Sequence, residues 1–376
     1  MPFRLPTHVY IEPGCLDRLP GLVASLDGGP VLLVYDAGLK ATRWPARVLD
    51  LLVTCGHEVM VFDGVEVNPR NTTIDRLAAG ARDRGIRCVV GLGGGSVLDA
   101  AKAVAMLLRN PGGCLDYEGR NRFAHGSAPF IAIPTTCGTG SEVTWVSVIT
   151  DAAAKRKASV KGDGMFPRVA LVDAQLLRTL PHALVAQTGA DALTHAVEAY
   201  TGQAANPVSD ALAEQAVTLL FSYLRRAAAD IEHDDEAREG VMRAATIAGI
   251  AFGNADVAGV HCLSESLGGL WDVPHGLANA ILLAPVMRYH LPHIEPKLAR
   301  LEALVEPERA GATGERFIER LETLVSDLGI PPFSSLHIPS GAYAQVAEAA
   351  EANNSNASNP QPMDANAYLH ILRHLP

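Results

Sequence analysis

Cys88-Val89-Val90-Gly91-Leu92-Gly93-Gly94-Gly95-Ser96 runs from an apolar segment through four glycines into a helical pattern over Val97 to Leu108. Bare backbone amides at such a helix start approach a phosphate closely, and the positive end of the helix dipole favours the anion. The stretch departs from the full dinucleotide fingerprint, because Ser96 stands where the last glycine falls, and no lysine follows as a P-loop requires. A tight strand-to-helix connection is the plainer reading of the same residues.

Working outward, further β-rich runs flank it at Val31-Leu32-Leu33-Val34-Tyr35, Glu58-Val59-Met60-Val61-Phe62, Phe130-Ile131-Ala132-Ile133 and Val169-Ala170-Leu171-Val172. Runs apolar at nearly every position and separated by helical stretches suit a parallel sheet covered on both faces. After about residue 180 helical periodicity takes over, in 182–200, 206–229, 235–254 and 275–289, with Pro181 placed in the first turn of the opening helix. The fold class expected is therefore α/β plus all-α: a nucleotide-binding parallel-sheet domain over 1–180 and a helical domain over 181–376. The acidic run Glu232 to Glu239 reads as a solvated helix start, and residues 353–360 as a polar loop before one last short helix.

Composition limits the partners. Lysine and arginine number 31 against 41 acidic residues, a formal charge of 31 − 41 = −10, which repels nucleic acid and anionic membrane surfaces. Apolar residues make up 48% of the 376, enough for more than one buried core, and charged residues only 19%, so disorder is excluded as the main state. The opening Met1-Pro2-Phe3-Arg4-Leu5-Pro6 lacks the apolar run of a secretory signal, so a soluble cytoplasmic protein is expected. Cys15, Cys55, Cys88, Cys114, Cys137 and Cys262 form no CxxC pair and read as small buried hydrophobes.

Two further features point to a nucleotide. Pro134-Thr135-Thr136-Cys137-Gly138-Thr139-Gly140-Ser141-Glu142 follows a strand with hydroxyls suited to ribose or diphosphate, although threonines also cap turns. Asp36 ends the strand at 31–35, where a carboxylate either accepts from an adenosine ribose and repels a 2′-phosphate, or simply caps a turn. In the helical half, Asp191 and His195 are four apart and share one helical face. His261 opens a second helical stretch, and His275 follows Pro274 at the start of a third. One carboxylate and three imidazoles would hold a cation of intermediate hardness, Fe(II) or Zn(II), with a position left for a substrate oxygen. Each residue also has an ordinary alternative, as a surface pair or a core histidine bonded to a carbonyl.

Taken together, Gly93 through Lys102, Pro134 through Glu142, Gly189 through Tyr200 and Pro274 through Ala280 resemble the iron-containing (group III) alcohol dehydrogenase family, in family order and over essentially the whole chain. The resemblance implies an active site in a cleft between an N-terminal nucleotide-binding domain and a C-terminal helical domain. It implies Asp191, His195, His261 and His275 as metal ligands. It implies Asp36, Gly94, Gly95, Ser96, Asp99, Thr135, Thr136, Thr139 and Lys157 as contacts to NAD, with NADP as the alternative, and a homodimer or higher homo-oligomer. Where many members have a second histidine four residues after the third ligand, this chain has Glu265, and Val146 replaces a polar asparagine of some relatives.

The activity expected is reversible hydride transfer between NAD(H) and a small primary alcohol or aldehyde, with the metal as Lewis acid. Phe252, Trp145 and Leu263 are candidate pocket walls, and Glu265 is either a proton-handling group or a structural carboxylate. The alternatives are an enzyme resembling glycerol dehydrogenase or dehydroquinate synthase, and a non-catalytic metal- or nucleotide-binding relative.

Overall fold

In the computed structural model, which describes residues 3–26 and 29–375, the apolar runs of the first half become strands of one sheet. Met1 and Pro2, part of the opening stretch read for a leader, lie outside those residues. The strands are β1 (His8–Ile11), β2 (Val31–Asp36), β3 (Val59–Val65), β4 (Cys88–Gly93), β6 (Phe130–Pro134) and β9 (Val169–Val172), in the spatial order β1-β9-β6-β4-β2-β3. Every pairing in that sheet is parallel. All residues of β4, β6 and β9 are buried, whereas the edge strands β1 and β3 are partly exposed. That burial is why the central strands are apolar without alternation.

Each face of the sheet carries its own core. Val31, Leu33, Val90, Leu92, Ile131 and Ile133 pack on one side with residues of α1 (Leu19–Ser25) and α2 (Trp44–Thr54). Leu32, Val34, Val89 and Ala132 pack on the other with α3 (Asn71–Asp83) and α4 (Gly95–Leu107). The chain reverses direction across the sheet at β2, which pairs with β3 on one side and β4 on the other. In open α/β sheets that switch point, at the carboxyl ends of the strands, is where nucleotides bind. Asp36 ends β2 and the glycine turn ends β4.

A second, small sheet pairs β7 (Val146–Asp151) with β8 (Arg156–Lys161) as an antiparallel hairpin, with β5 (Gly119–Arg120) alongside β8. The sequence reading missed these three strands and β1. They are short, and β8 mixes Arg156, Lys157 and Lys161 with its apolar residues, so its alternation resembles a solvated basic run.

The helical half follows the expected pattern closely: α5 (His182–Thr201), α6 (Pro207–Ala229), α7 (Asp235–Gly253), α8 (Gly259–Trp271), α9 (His275–Val305), α10 (Gly314–Asp327), α11 (Tyr343–Glu351) and α12 (Ala365–Arg373). Two details differ. Pro181 is the extended cap residue before α5 rather than part of its first turn. Helix α9 continues through Pro285, Pro292 and Pro296 to Val305, far past residue 289. Each proline removes one intrahelical N–H, and burial of Ile294, Leu298 and Leu301 outweighs the loss.

The chain divides into two compact units. Of the described residues, one comprises those of 5–136 with Gly140–Thr179, and the other 3–4, Cys137–Thr139 and 180–375. All six cysteines are free; five are buried and Cys55 is exposed. Among the described residues no helix is long and apolar enough to cross a membrane.

Candidate active site

In the N-terminal unit, Gly94 is the extended cap of α4, and Gly95 and Ser96 are its first two residues. The first bonds back into the turn come from Val97 and Leu98, whose amides donate to the Gly94 carbonyl at 3.0 and 3.1 Å. The amides of Gly95 and Ser96 therefore precede the helical ladder, as an anion cradle needs. A Cβ at Gly94 would fall 3.0 Å from Thr136 Cγ2, so the second loop closes directly on the glycine turn. Thr135 is buried, and its amide donates to the Gly93 carbonyl at 3.0 Å.

Asp36, Asp99 and Lys157, also expected at the nucleotide, are tied into the same unit. Asp36 Oδ1 accepts from the Leu39 amide at 3.2 Å, and partial burial raises its carboxyl above the ordinary value. Asp99 accepts from Ser141 Oγ at 2.6 Å and from the Val148 amide at 2.9 Å, which engages both its oxygens. Burial raises its pKa, opposed by Lys102 and these two bonds. Lys102 is itself buried, with Nζ 2.9 Å from Ser141 Oγ and 2.6 Å from the Val146 carbonyl, and burial pushes it down to about 8. Lys157 lies on β8 and donates to Asn68 Oδ1 at 2.7 Å and Thr150 Oγ1 at 3.1 Å. Asn68 is buried with a positive φ of 58° and went unnoticed in the sequence, where its one signal is the following proline. Trp145 is buried here under the Arg120 guanidinium, 4.6 Å from the ring centre.

The C-terminal unit assembles the second site. Thr139 belongs to its short segment Cys137–Thr139, in which Cys137 Sγ lies 3.4 Å from Thr188 Oγ1 of α5. Asp191 and His195 project from α5, His261 from the first turn of α8 and His275 from the first residue of α9. One donor atom from each of the four lies within 4.8 Å of the others. Gly276 makes the approach possible, because a Cβ there would fall 2.7 Å from the Gln187 carbonyl of α5. Asp191, His195 and His261 are buried, whereas the His275 side chain keeps 31% of its surface open and marks the accessible corner.

Phe252 stacks on His195 with ring centres 4.2 Å apart and 17° between planes. Leu263 is fully buried within α8. Glu265, half-buried one turn beyond His261, accepts from Asn353 Nδ2 at 2.7 Å. Burial, with His261 next to it, holds the His195 imidazole well below 6.5, so it is neutral at pH 7. For His261, burial acts downward, but the hydrogen bond and charge of Glu198 outweigh it and the imidazole stays above its ordinary value.

Two neighbours of this cluster carried no role in the sequence reading. Glu198, wholly buried on α5, takes the His261 Nδ1 at 2.6 Å. Asn279, one turn after His275 on α9, donates from Nδ2 to Asp191 Oδ1 at 2.6 Å and lies 3.2 and 3.1 Å from Nε2 of His261 and His275. Spacing held the signal, since Glu198 follows His195 by three and Asn279 follows His275 by four.

The donor set fits a divalent cation. It mixes one carboxylate with three imidazoles, and His195 Nδ1 is buried without a hydrogen-bond partner. Four donors converging within 4.8 Å of one another, three of them on buried side chains, would hold one such ion.

Fold and site thus fit a protein with a nucleotide-binding sheet and a divalent-metal centre. Residues 6–174 match the model of the iron-containing alcohol dehydrogenases, and residues 185–375 match that of the Fe-containing alcohol dehydrogenase family, C-terminal. The chain is 36% identical to 1,3-propanediol dehydrogenase of Klebsiella pneumoniae, covering 96% of this chain and 94% of that one. It is 34% identical to NAD-dependent methanol dehydrogenase of Bacillus methanolicus, over 88% and 87% of the two chains. The crystal structure of a 1,3-propanediol oxidoreductase superposes with a TM-score of 0.95 at 35% identity, covering 99% of this chain and 98% of that one. The chain belongs to the iron-containing alcohol dehydrogenase family, and it is an NAD-dependent alcohol dehydrogenase that uses a metal.

Proposed function

We propose that this enzyme interconverts small primary alcohols and their aldehydes, with Asp191, His195, His261 and His275 as the ligands of its metal. The observation that carries the reading is the convergence of those four donor atoms within 4.8 Å, drawn from three helices. When bound, the divalent metal polarises the alcohol oxygen as a Lewis acid and NAD takes up the hydride. The chain supplies the rest. Neutral His195 lends a lone pair, Asp191 brings the compensating charge, and the exposed edge at His275 admits a small hydroxylated substrate. Phe252, stacked on His195, keeps that ring fixed and presents an apolar edge to the substrate carbon.

For the cofactor, the amides of Gly95 and Ser96 receive the diphosphate at the α4 dipole, with Gly94 letting Thr136 close on the turn beside it. Asp36 accepts from the adenosine ribose and disfavours a 2′-phosphate, which selects NAD over NADP. Thr135, Thr136 and Lys157 complete the contacts in this unit, and Asp99 holds the Ser141–Val148 segment in place behind them. The reading includes a cytoplasmic homodimer; free buried thiols suit a reducing compartment, and light scattering on the eluted peak reports the mass.

Metal analysis of the purified protein, followed by NADH oxidation across a panel of C2–C6 aldehydes and repeated on His275→Ala, tests the proposal. Wild type should carry about one equivalent of metal and turn over, while the variant loses both. Retention of metal and turnover by His275→Ala would contradict the ligand assignment.

A further inference from the structure

Glu198 sits on α5, wholly buried, seven residues after Asp191 and three after His195. Three donors meet its carboxylate, all from the entry to α8. The Ala258 amide donates to Oε2 at 2.9 Å, the Val260 amide to Oε1 at 2.6 Å and the His261 ring to Oε2 at 2.6 Å. An ionised carboxylate offers only lone pairs, so the imidazole nitrogen facing it, Nδ1, must carry the hydrogen. The other nitrogen, Nε2, then has its lone pair directed away from Glu198, toward the Asn279 amide 3.2 Å off and the Asp191 side of the cluster.

We propose that Glu198 is a positioning residue for the metal. It locks His261 in the Nδ1–H tautomer and pins the first turn of α8 to α5, so that Nε2 is presented in one orientation beside Asp191, His195 and His275. The inference rests on the ligand assignment above and extends it to a residue with no direct contact to the ion. A ligating imidazole whose second nitrogen donates to a carboxylate is a stronger and better-oriented base, and losing such a partner costs 10–100-fold in metal affinity.

The competing account makes Glu198 a distant cap for α8 and nothing more. Geometry separates the two, because capping uses only the amides of Ala258 and Val260, whereas the bond to the ring nitrogen adds nothing to a helix end. Glutamine in its place keeps the size but has one accepting oxygen for three donors. Its NH2 group then opposes a donor, either the Val260 amide or the Ala258 amide and the ring.

The test needs four proteins and no turnover. Zn(II) affinity is measured by competition with a chromophoric chelator for wild type, Glu198→Gln and His275→Ala. In parallel, 15N-histidine spectra of metal-free wild type, recorded on the alkaline side of the His261 titration where the ring is neutral, identify its protonated nitrogen, assigned by the peak missing in His261→Gln. We expect an Nδ1–H signature in wild type and a 10–100-fold weaker Zn(II) affinity in Glu198→Gln. A wild-type Nε2–H signature, or unchanged affinity in Glu198→Gln, overturns the role of Glu198. Should Glu198→Gln fail to fold, the wild-type spectrum alone decides. If instead the ligand assignment is at fault, His275→Ala binds Zn(II) as tightly as wild type, an outcome distinct from failure of Glu198 alone.

Discussion

Replacing His290 by glutamine should flatten the acid sensitivity of α9, the helix that bears His275 and Asn279. His290 is completely buried, with Nε2 donating to Asn359 Oδ1 at 3.2 Å and Nδ1 lying 3.4 Å from Gln361 Nε2. Burial pushes its imidazole from 6.5 down to about 4; the Asn359 bond and the Glu198 charge oppose this, and His293 adds to it. Between those two values the unfolded chain binds a proton that the folded chain refuses, so stability falls as pH falls through the window and is flat above it. Integrating at ~1.36 kcal/mol per pH unit gives a loss of about 2 kcal/mol at pH 5 and about 3 kcal/mol at pH 4. Hydrogen exchange of α9 peptides, read by mass spectrometry at pH 7 and pH 5 with EDTA present and corrected for intrinsic rates, reports the opening free energy. His290→Gln carries its own cost at pH 7, about 1–3 kcal/mol from an imperfectly replaced buried hydrogen bond. The decisive quantity is the pH-dependent loss, which should be about 2 kcal/mol smaller in the variant by pH 5. Every other titrating group contributes equally to both proteins, so equal losses would refute the assignment of a neutral buried imidazole.

Three further outcomes follow from the two sites. Asp36→Ser keeps an oxygen able to cap the Leu39 amide while removing the charge, and should raise the NADPH-to-NADH ratio of kcat/KM about tenfold, or ~1.4 kcal/mol of like-charge repulsion; an unchanged ratio removes Asp36 from cofactor selection. Gly94→Ala places a methyl 3.0 Å from Thr136 Cγ2 and should raise KM for NADH several-fold, roughly 1 kcal/mol of crowding, with metal content intact. A normal KM would mean that the cofactor does not approach this turn. Glu265→Gln should leave the pH-rate profile with its wild-type shape, because the carboxylate is already held by Asn353 Nδ2 at 2.7 Å. A lost or displaced limb in that profile would instead give Glu265 the proton.

The parts legible in the sequence are those whose cause is local. Asp191 and His195 share a face because a helix returns every 3.6 residues, and β4 is recognisable because burial on both sides leaves no polar position in it. His275 could be placed at a helix start from Pro274 alone. Where the cause lies far along the chain, the reading ran out. The β7–β8 hairpin is held partly by Lys157 reaching Asn68, 89 residues away, and no local alternation announces that. Helix α9 outlasts three prolines because of what its apolar face packs against, which a rule about prolines in isolation does not see.

The same division runs through the metal site. Spacing can nominate a residue able to donate to a cation, but affinity depends on which nitrogen of each imidazole points inward, and that is fixed by the atom on the far side of the ring. For His261 that atom belongs to Glu198, 63 residues earlier, and for Asp191 the holding group is the Asn279 amide, 88 residues later. Both supporting residues stand on helices that already carry a candidate ligand. Helix α5 thus supplies Asp191 and His195 and also orients the ligand of α8, while α9 supplies His275 and also orients the carboxylate of α5. A displacement of either helix therefore disturbs ligands on more than one element at once, so the geometry of the site is a property of the packed helices jointly rather than of any one motif.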